Sequence, residues 1–242
     1  MSRQLALVFA GPAAQPCFDQ LALEFGDQPT ETLYQFMIER LLTEVFPIQS
    51  DYHIHIFSYM NENDFKTKMG DSWSHTPIQS LIEEGPLLSS IFDRMFEDQN
   101  TESLLIQQVG TMNLDEETIA SWFAKIQPDT MLCGVGSDQH LLTIGLNACH
   151  RDLINEVNIQ EPDILDLLDL RCDHYKKELA QLPVQQVPSN LSELSSFRES
   201  LPKEHFIAKK IDQLVLEKLE TSSPDKTRTL QIQWDEPEVD DS

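Results

Sequence analysis

A chain of 242 residues, with a hydrophobic share of 40% and 13 prolines against 8 glycines, is long enough to bury a full globular core, alone or with an appendage. Its 41 acidic and 17 basic residues leave a formal charge of −24. That balance excludes the basic footprint nucleic-acid binding needs and opposes docking on anionic membranes.

Residues 4–10 form an apolar run, as in a strand buried on both faces, and "GPAAQP" breaks it. The unbroken part, Leu5 to Ala10, is shorter than the core of a secretion signal, and no segment is long enough to span a membrane. From residue 30 to 46, Leu33, Phe36, Met37, Leu41 and Val45 recur at helical spacing. A second strand is expected over 52–60. Its His53 and His55 share one face, a spacing that suits a metal, but no third ligand is identifiable, so they read as a polar sheet face.

After a polar loop, residues 85–98 read as a helix with Pro86 near its first turn, and 102–109 as a third strand. The loop from Gln108 to Asn113 offers two amides, the Met112 thioether and the Thr111 hydroxyl, without a charge. Asn113 or Asp115 can cap the helix that follows. Strands are expected at 129–135 and 140–147, and a helix at 161–181. Strands separated by helices imply a mainly parallel sheet covered on both sides, a three-layer α/β domain.

The pattern changes from about residue 185. Residues 203–220 form one amphipathic helix, with Phe206 or Ile207, Ile211, Leu214 or Val215, and Leu219 along a stripe. "TRTLQIQW" alternates like an edge strand, placing Leu230, Ile232 and Trp234 together. "DEPEVDD" reads as a solvated acidic tail whose removal still leaves −19. The organisation is therefore an α/β domain over 1–198, a helix and edge-strand extension over 199–234, and a tail over 235–242. Cys17, Cys133, Cys149 and Cys172 are widely spaced, as reduced thiols of a cytoplasmic protein are, and neither Cys172 with His174 nor Cys149 with His150 has zinc-site spacing.

Three stretches carry a family likeness. They are "LALVFAGPAAQPCFDQLALEFGDQPTETLYQFMIERLL" from Leu5, "EEGPLLSSIFDRMFE" with Arg94 and Met95, and "LTIGL" at 142–146. Their order and spacing over roughly residues 4–197 resemble a family of small GT-A-fold nucleotide-sugar glycosyltransferases, including arsenosugar-biosynthesis types, related to nucleotidyltransferases. The resemblance implies a GT-A-like sheet and a diphosphate site with a divalent cation.

The residues depart from that pattern at four places. No Lys, Arg or His lies between Arg3 and Arg40, while Asp19, Glu24, Asp27, Glu31 and Glu39 do; "QPCFDQL" stands where the family has basic residues for the diphosphate. Registered on Leu114, the place of the family's metal-holding acid falls on Gly110 and the next acidic position on Asn113. Neither supplies the carboxylate oxygen that Mg²⁺ or Mn²⁺ prefers. Asp115 and Glu116 read first as helix-start acids favoured by the dipole. Asp138 survives from the family's Asp-Gly-Gly, but Gln139 and His140 replace the glycines. In "VPSNLSELSSF", Ser, Asn and Glu replace the acids of the closing element.

These departures favour a glycosyltransferase-like protein that has lost metal-dependent transfer and acts by binding a ligand or protein partner. No resident metal or cofactor is expected. The alternative is a divergent active transferase with a rebuilt site, using Mn²⁺ or Mg²⁺. Asp138 is then the candidate catalytic residue, and Arg94, Asn113, Asp115, Asp138 and His140 are the candidate ligand contacts. A partner or a second copy could dock on the C-terminal helix.

Overall fold

The computed structural model describes residues 2–9, 16–69, 77–82, 87–97, 100–111, 114–137, 139–202 and 205–222. The expected edge strand at 227–234 and the acidic tail lie outside the described residues, as do Asn113 and Asp138.

The first strand, β1 (Ser2–Phe9), runs through the middle of the sheet, with every residue from Leu5 to Phe9 fully buried. Two helices follow, α1 (Pro16–Phe25) and α2 (Asp27–Val45). Only α2 was legible from its periodicity, and it begins three residues earlier than expected, with Pro29 tolerated in its first turn. Next come β2 (Tyr52–Ser58), α3 (Glu62–Met69) and β3 (Ile78–Ser80). The last two occupy what reads in sequence as a polar loop. Then α4 (Leu88–Phe96), β4 (Thr101–Gln108), α5 (Glu116–Phe123), β5 (Thr130–Val135) and β6 (Leu141–Asn147) follow in order.

A 3-10 helix (Ala148–Leu153) leads to α6 (Ile164–Tyr175), and here the structure corrects the sequence. The helix expected over 161–181 stops at Tyr175, because Lys176 turns left-handed at φ 56° and its N–H and that of Lys177 return to Asp173 O and Cys172 O. Residues Glu178–Gln181 then form β7, paired in parallel with β5. Pairing along β5 outweighs the helix preference of Lys, Glu, Leu, Ala and Gln. Finally α7 (Leu191–Ser200) and α8 (Phe206–Ser222) close the described chain.

The seven strands order as β3-β2-β1-β4-β6-β5-β7. Every pair is parallel except the two that involve β6, so six strands point one way and β6 runs against them. Alternation along the strands feeds two cores. Leu5, Leu7, Phe9 and Leu105 face the side roofed by α1, α2, α3, α5, α7 and α8. Ala6, Val8, Leu104 and Ile106 face the side covered by α4, the 3-10 helix and α6. This is the expected three-layer α/β arrangement with a mainly parallel sheet. Crossovers before β2 and β3 lie on the first side, and the one before β4 lies on the second. The switch between β1 and β4 makes the carboxyl ends of these strands the place where an open α/β sheet binds ligands.

Candidate site at the carboxyl edge of the sheet

The chain leaves β4 at Gln108, beside the end of β1: the Val109 N–H donates to Val8 O at 3.1 Å. Gly110 follows at φ 136°, a conformation that disfavours any side chain. The position matched to a metal-holding acid is thus one where the backbone itself calls for glycine. Beyond β5, Gly136, Gln139 and His140 close the turn into β6. Gly136 N–H donates to His140 O, Gln139 N–H donates to Gly136 O, and Gln139 sits at φ 66°. Because β5 is parallel to β4, this hairpin tip lies at the same edge as the loop after β4. Gln108 Nε2 fastens the two by donating to Leu141 O at 2.7 Å.

Beneath this edge lies a buried cluster without a formal charge. Gln107, Thr111, Thr143 and Gln185 are each 5% exposed or less. Gln107 Nε2 donates to Gln108 O at 2.7 Å, Thr111 Oγ1 at 3.0 Å and Gln185 Oε1 at 3.2 Å. Thr111 Oγ1 donates to Gln185 Oε1 at 2.9 Å. Thr143 Oγ1 donates to Gln107 Oε1 and accepts from Gln185 Nε2. Four side chains from β4, its loop, β6 and the segment after β7 therefore satisfy one another, as buried polar groups must. Gly134 makes room for the last of them, since a Cβ there would stand 2.5 Å from Gln185 Nε2 and 3.2 Å from Thr143 Cβ.

The segment from Leu182 to Asn190 acts as a strap over this edge. Leu182 N–H and Gln185 N–H donate to Cys133 O and Val135 O of β5, and Ser137 N–H of the hairpin donates back to Gln185 O. At its far end Asn190 caps α7 through Glu193 N–H, and Leu191 N–H donates to Glu24 Oε2 of α1.

The candidate residues are not gathered in one place. His140 stands at the base of the hairpin, partly exposed, and belongs to the carboxyl edge. Asp115 does not. It caps α5 by accepting from Thr118 N–H at 2.8 Å, and this hydrogen bonding holds its carboxyl below the usual carboxylate range. The next residue, Glu116, accepts from Gln49 N–H and Ser50 N–H at 2.6 Å each, tying the start of α5 to the loop that enters β2 at its amino end. Both acids are helix-start residues well away from the hairpin. Arg94, on α4, donates from Nη1 to Ser80 O at 3.0 Å. Ser80 ends β3, three strands from β4, so Arg94 anchors the sheet's edge strand.

His55 Nε2 lies 2.8 Å from Gln4 Oε1, and burial beside His53 lowers its pKa; His53 is exposed. Among the described residues no group of three or more His, Cys, Asp or Glu is placed to hold a metal ion, and no helix is long and apolar enough to cross a membrane. Cys133 and Cys172 are buried, with their thiols pushed up to about 11 by desolvation, whereas Cys149 is exposed.

Sequence reasoning pointed at Thr111 and Gln108 but missed Gln107, Thr143 and Gln185. Their signal was a polar residue inside an otherwise apolar strand, at Gln107 in "LLIQQV" and Thr143 in "LLTIGL".

The architecture agrees with solved structures at low sequence identity. A protein named as a nucleotide-diphospho-sugar transferase from Desulfovibrio desulfuricans superposes with a TM-score of 0.66 at 15% identity, over 90% of this chain and 99% of that one. A cytidylyltransferase from Leptospira borgpetersenii superposes with a TM-score of 0.51 at 13% identity, over 91% of this chain and 96% of its own. Neither protein-family models nor curated protein sequences match the chain. The fold is accordingly that of the nucleotide-diphospho-sugar transferase-like proteins and nucleotidyltransferases, and function has to be argued from the site.

Proposed function

We propose that this chain is a cytoplasmic, degenerate relative of the small GT-A-fold glycosyltransferases that no longer performs metal-dependent transfer and works as a non-catalytic binding protein. The observation that carries this reading is the neutral cluster of Gln107, Thr111, Thr143 and Gln185 at the carboxyl end of β4. A transferase of this fold needs carboxylates there for a divalent cation and cations for a diphosphate. Here amides and hydroxyls are spent on one another. Asp115 and Glu116 are spent on capping and loop anchoring, and the chain from Gln4 to Glu39 supplies no cation. A net charge of −24 adds a field that repels anionic donors.

Binding then falls to other surfaces, with no resident cofactor. Ile211 and Leu214 of α8 are buried in the core with α2 and α7, so a protein partner or a second copy would meet this helix on its outward side, where Leu216 is exposed.

A second reading rests on the turn between β5 and β6, which brings His140 to the same edge as the loop after β4. In it Asp138 and His140 serve a rebuilt, Mn²⁺- or Mg²⁺-dependent nucleotide site. A thermal-shift titration with nucleotides and nucleotide sugars, with and without Mn²⁺ or Mg²⁺, separates the two. The first reading expects no metal-dependent shift across the panel. A metal-dependent shift with one nucleotide sugar, abolished by Asp138→Ala, establishes the second.

A further inference from the structure

Next to the strap, a cavity of about 400 Å³ lies between the hairpin tip and α7, within the size range of small-molecule sites. Ser137 of the hairpin, Gln186 and Val187 of the strap, and Glu193, Ser196 and Phe197 of α7 line it, together with two further α7 serines. Among the described residues no lysine, arginine or histidine is in its walls. Val187 and Phe197 are 2% and 5% exposed and provide an apolar floor, while the serines, Gln186 and Glu193 stand at the exposed rim.

The walls are fixed by contacts made elsewhere. Arg198 grips Asp212 of α8 through two hydrogen bonds of 2.6 and 2.5 Å, and the Arg40 guanidinium lies 4.9 Å from the Phe197 ring centroid. Glu193 Oε2 accepts from both N–H and Oγ–H of Ser189, and Ser137 Oγ reaches Val187 O at 3.5 Å. A ligand entering this cavity would find its walls already ordered, which lowers the entropic cost of binding.

The Glu193 carboxylate lies in the first turn of α7 and offsets the positive end of that helix, so the described walls present no net field that selects an anion or a cation. An uncharged ligand needs no such field. Ser196 Oγ donates to Ser192 O, and Ser200 Oγ donates to Phe197 O, so these hydroxyls offer lone pairs to a donor-bearing guest. Val187 and Phe197 suit the C–H face of a ring.

We propose that this cavity binds an uncharged polyhydroxylated ring, a free monosaccharide or cyclitol without phosphate or nucleotide. The proposal rests on the reading above that the anionic donor site is lost, and it names what the protein retains.

The test is saturation-transfer NMR on the full chain with D-glucose, D-galactose and myo-inositol, run beside glucose 1-phosphate and UDP-glucose with Mn²⁺. Saturable millimolar binding of at least one neutral probe is expected, with the phosphorylated forms weaker. Ser196→Leu, which fills the cavity from an exposed helix position, should raise the dissociation constant at least about tenfold while leaving the melting temperature unchanged. Glu193→Gln provides an independent variant that removes the charge and keeps an acceptor for Ser189. It should weaken neutral binding little and strengthen the phosphorylated probes relative to the unaltered protein; phosphorylated probes no stronger than before would overturn the preference for a neutral guest. Failure of every neutral probe, or neutral binding unchanged in Ser196→Leu, overturns the cavity proposal and leaves the lost-donor reading standing. Tighter binding of UDP-glucose with Mn²⁺ overturns both.

Discussion

At one end of β6, Thr143 sits in a buried cluster of amides and hydroxyls, while at the other end Asn147 and His150 close a cap on the following 3-10 helix. Both ends bury polar side chains, yet they answer pH differently. The cluster at the carboxyl edge holds no ionisable group, so it stays satisfied at any pH near neutrality. The cap holds a fully buried imidazole whose Nδ1 accepts from Asn147 N–H at 3.2 Å, which requires the neutral ring. Burial, with the nearby Lys177 adding to it, pushes the His150 pKa down to about 4. The buried cluster is thus insensitive to pH, whereas the cap at the other end of β6 is not.

Two substitutions would break this contrast most sharply. Gly134→Ala puts a Cβ 2.5 Å from the Gln185 amide, so the amide must leave its buried place and the strap must shift. Overpacking plus lost hydrogen bonds should cost about 3 kcal/mol, read by urea denaturation. A cost under about 0.5 kcal/mol would mean the strap repacks freely and the cluster is not a fixed structural unit. His150 is tested by pH. Its folded pKa lies below the ordinary 6.5, so between about 6.5 and 4 the unfolded chain binds more protons and stability falls as the pH falls. The contribution is complete above 6.5, and about 3 kcal/mol is lost by pH 4. His150→Gln keeps an acceptor for Asn147 N–H without an ionisable ring. The difference between the two proteins' stability curves should flatten above pH 6.5 and slope below it. A difference independent of pH would show that the ring's titration does not govern the cap.

A smaller effect isolates the cluster from the strap. Thr143→Val keeps the shape but removes both a donor to Gln107 Oε1 and an acceptor for Gln185 Nε2. Leaving two buried amide atoms unpaired should cost about 2 kcal/mol, with no change in the pH dependence. An equal loss at pH 7 accompanied by a changed acid slope would tie the two ends of β6 together and undo the comparison.

The same two ends show what the chain discloses before it folds. The apolar run of β1, the stripe of α2 and the alternation of strands and helices were legible, because burial on two faces writes itself into local periodicity. β7 was not, since "ELAQ" gains its strand only from β5, forty-odd residues earlier in the chain. Nor was the cluster, whose partners Gln107 and Gln185 lie 78 residues apart. A glutamine inside a strand can be seen as anomalous, but nothing local says which distant amide will satisfy it. The absence of basic residues from Gln4 to Glu39 was legible by contrast, because charge is a property of the residues themselves. The sequence also put Asp115 and Arg94 among the site candidates, and only the register of the sheet shows that both serve the scaffold elsewhere.

Gln139 sharpens the comparison at its smallest scale. At φ 66° it holds a left-handed backbone that costs a residue with a Cβ roughly 1–2 kcal/mol. Glycine would remove that strain and give back part of the gain through a freer unfolded chain. Gln139→Gly should therefore stabilise the protein by about 0.5 kcal/mol, measured as a higher urea midpoint at unchanged slope. Glycine is favoured by this left-handed position whether or not a ligand is present. A destabilised Gln139→Gly would mean that the Gln139 side chain makes a favourable contact that outweighs the strain of its backbone.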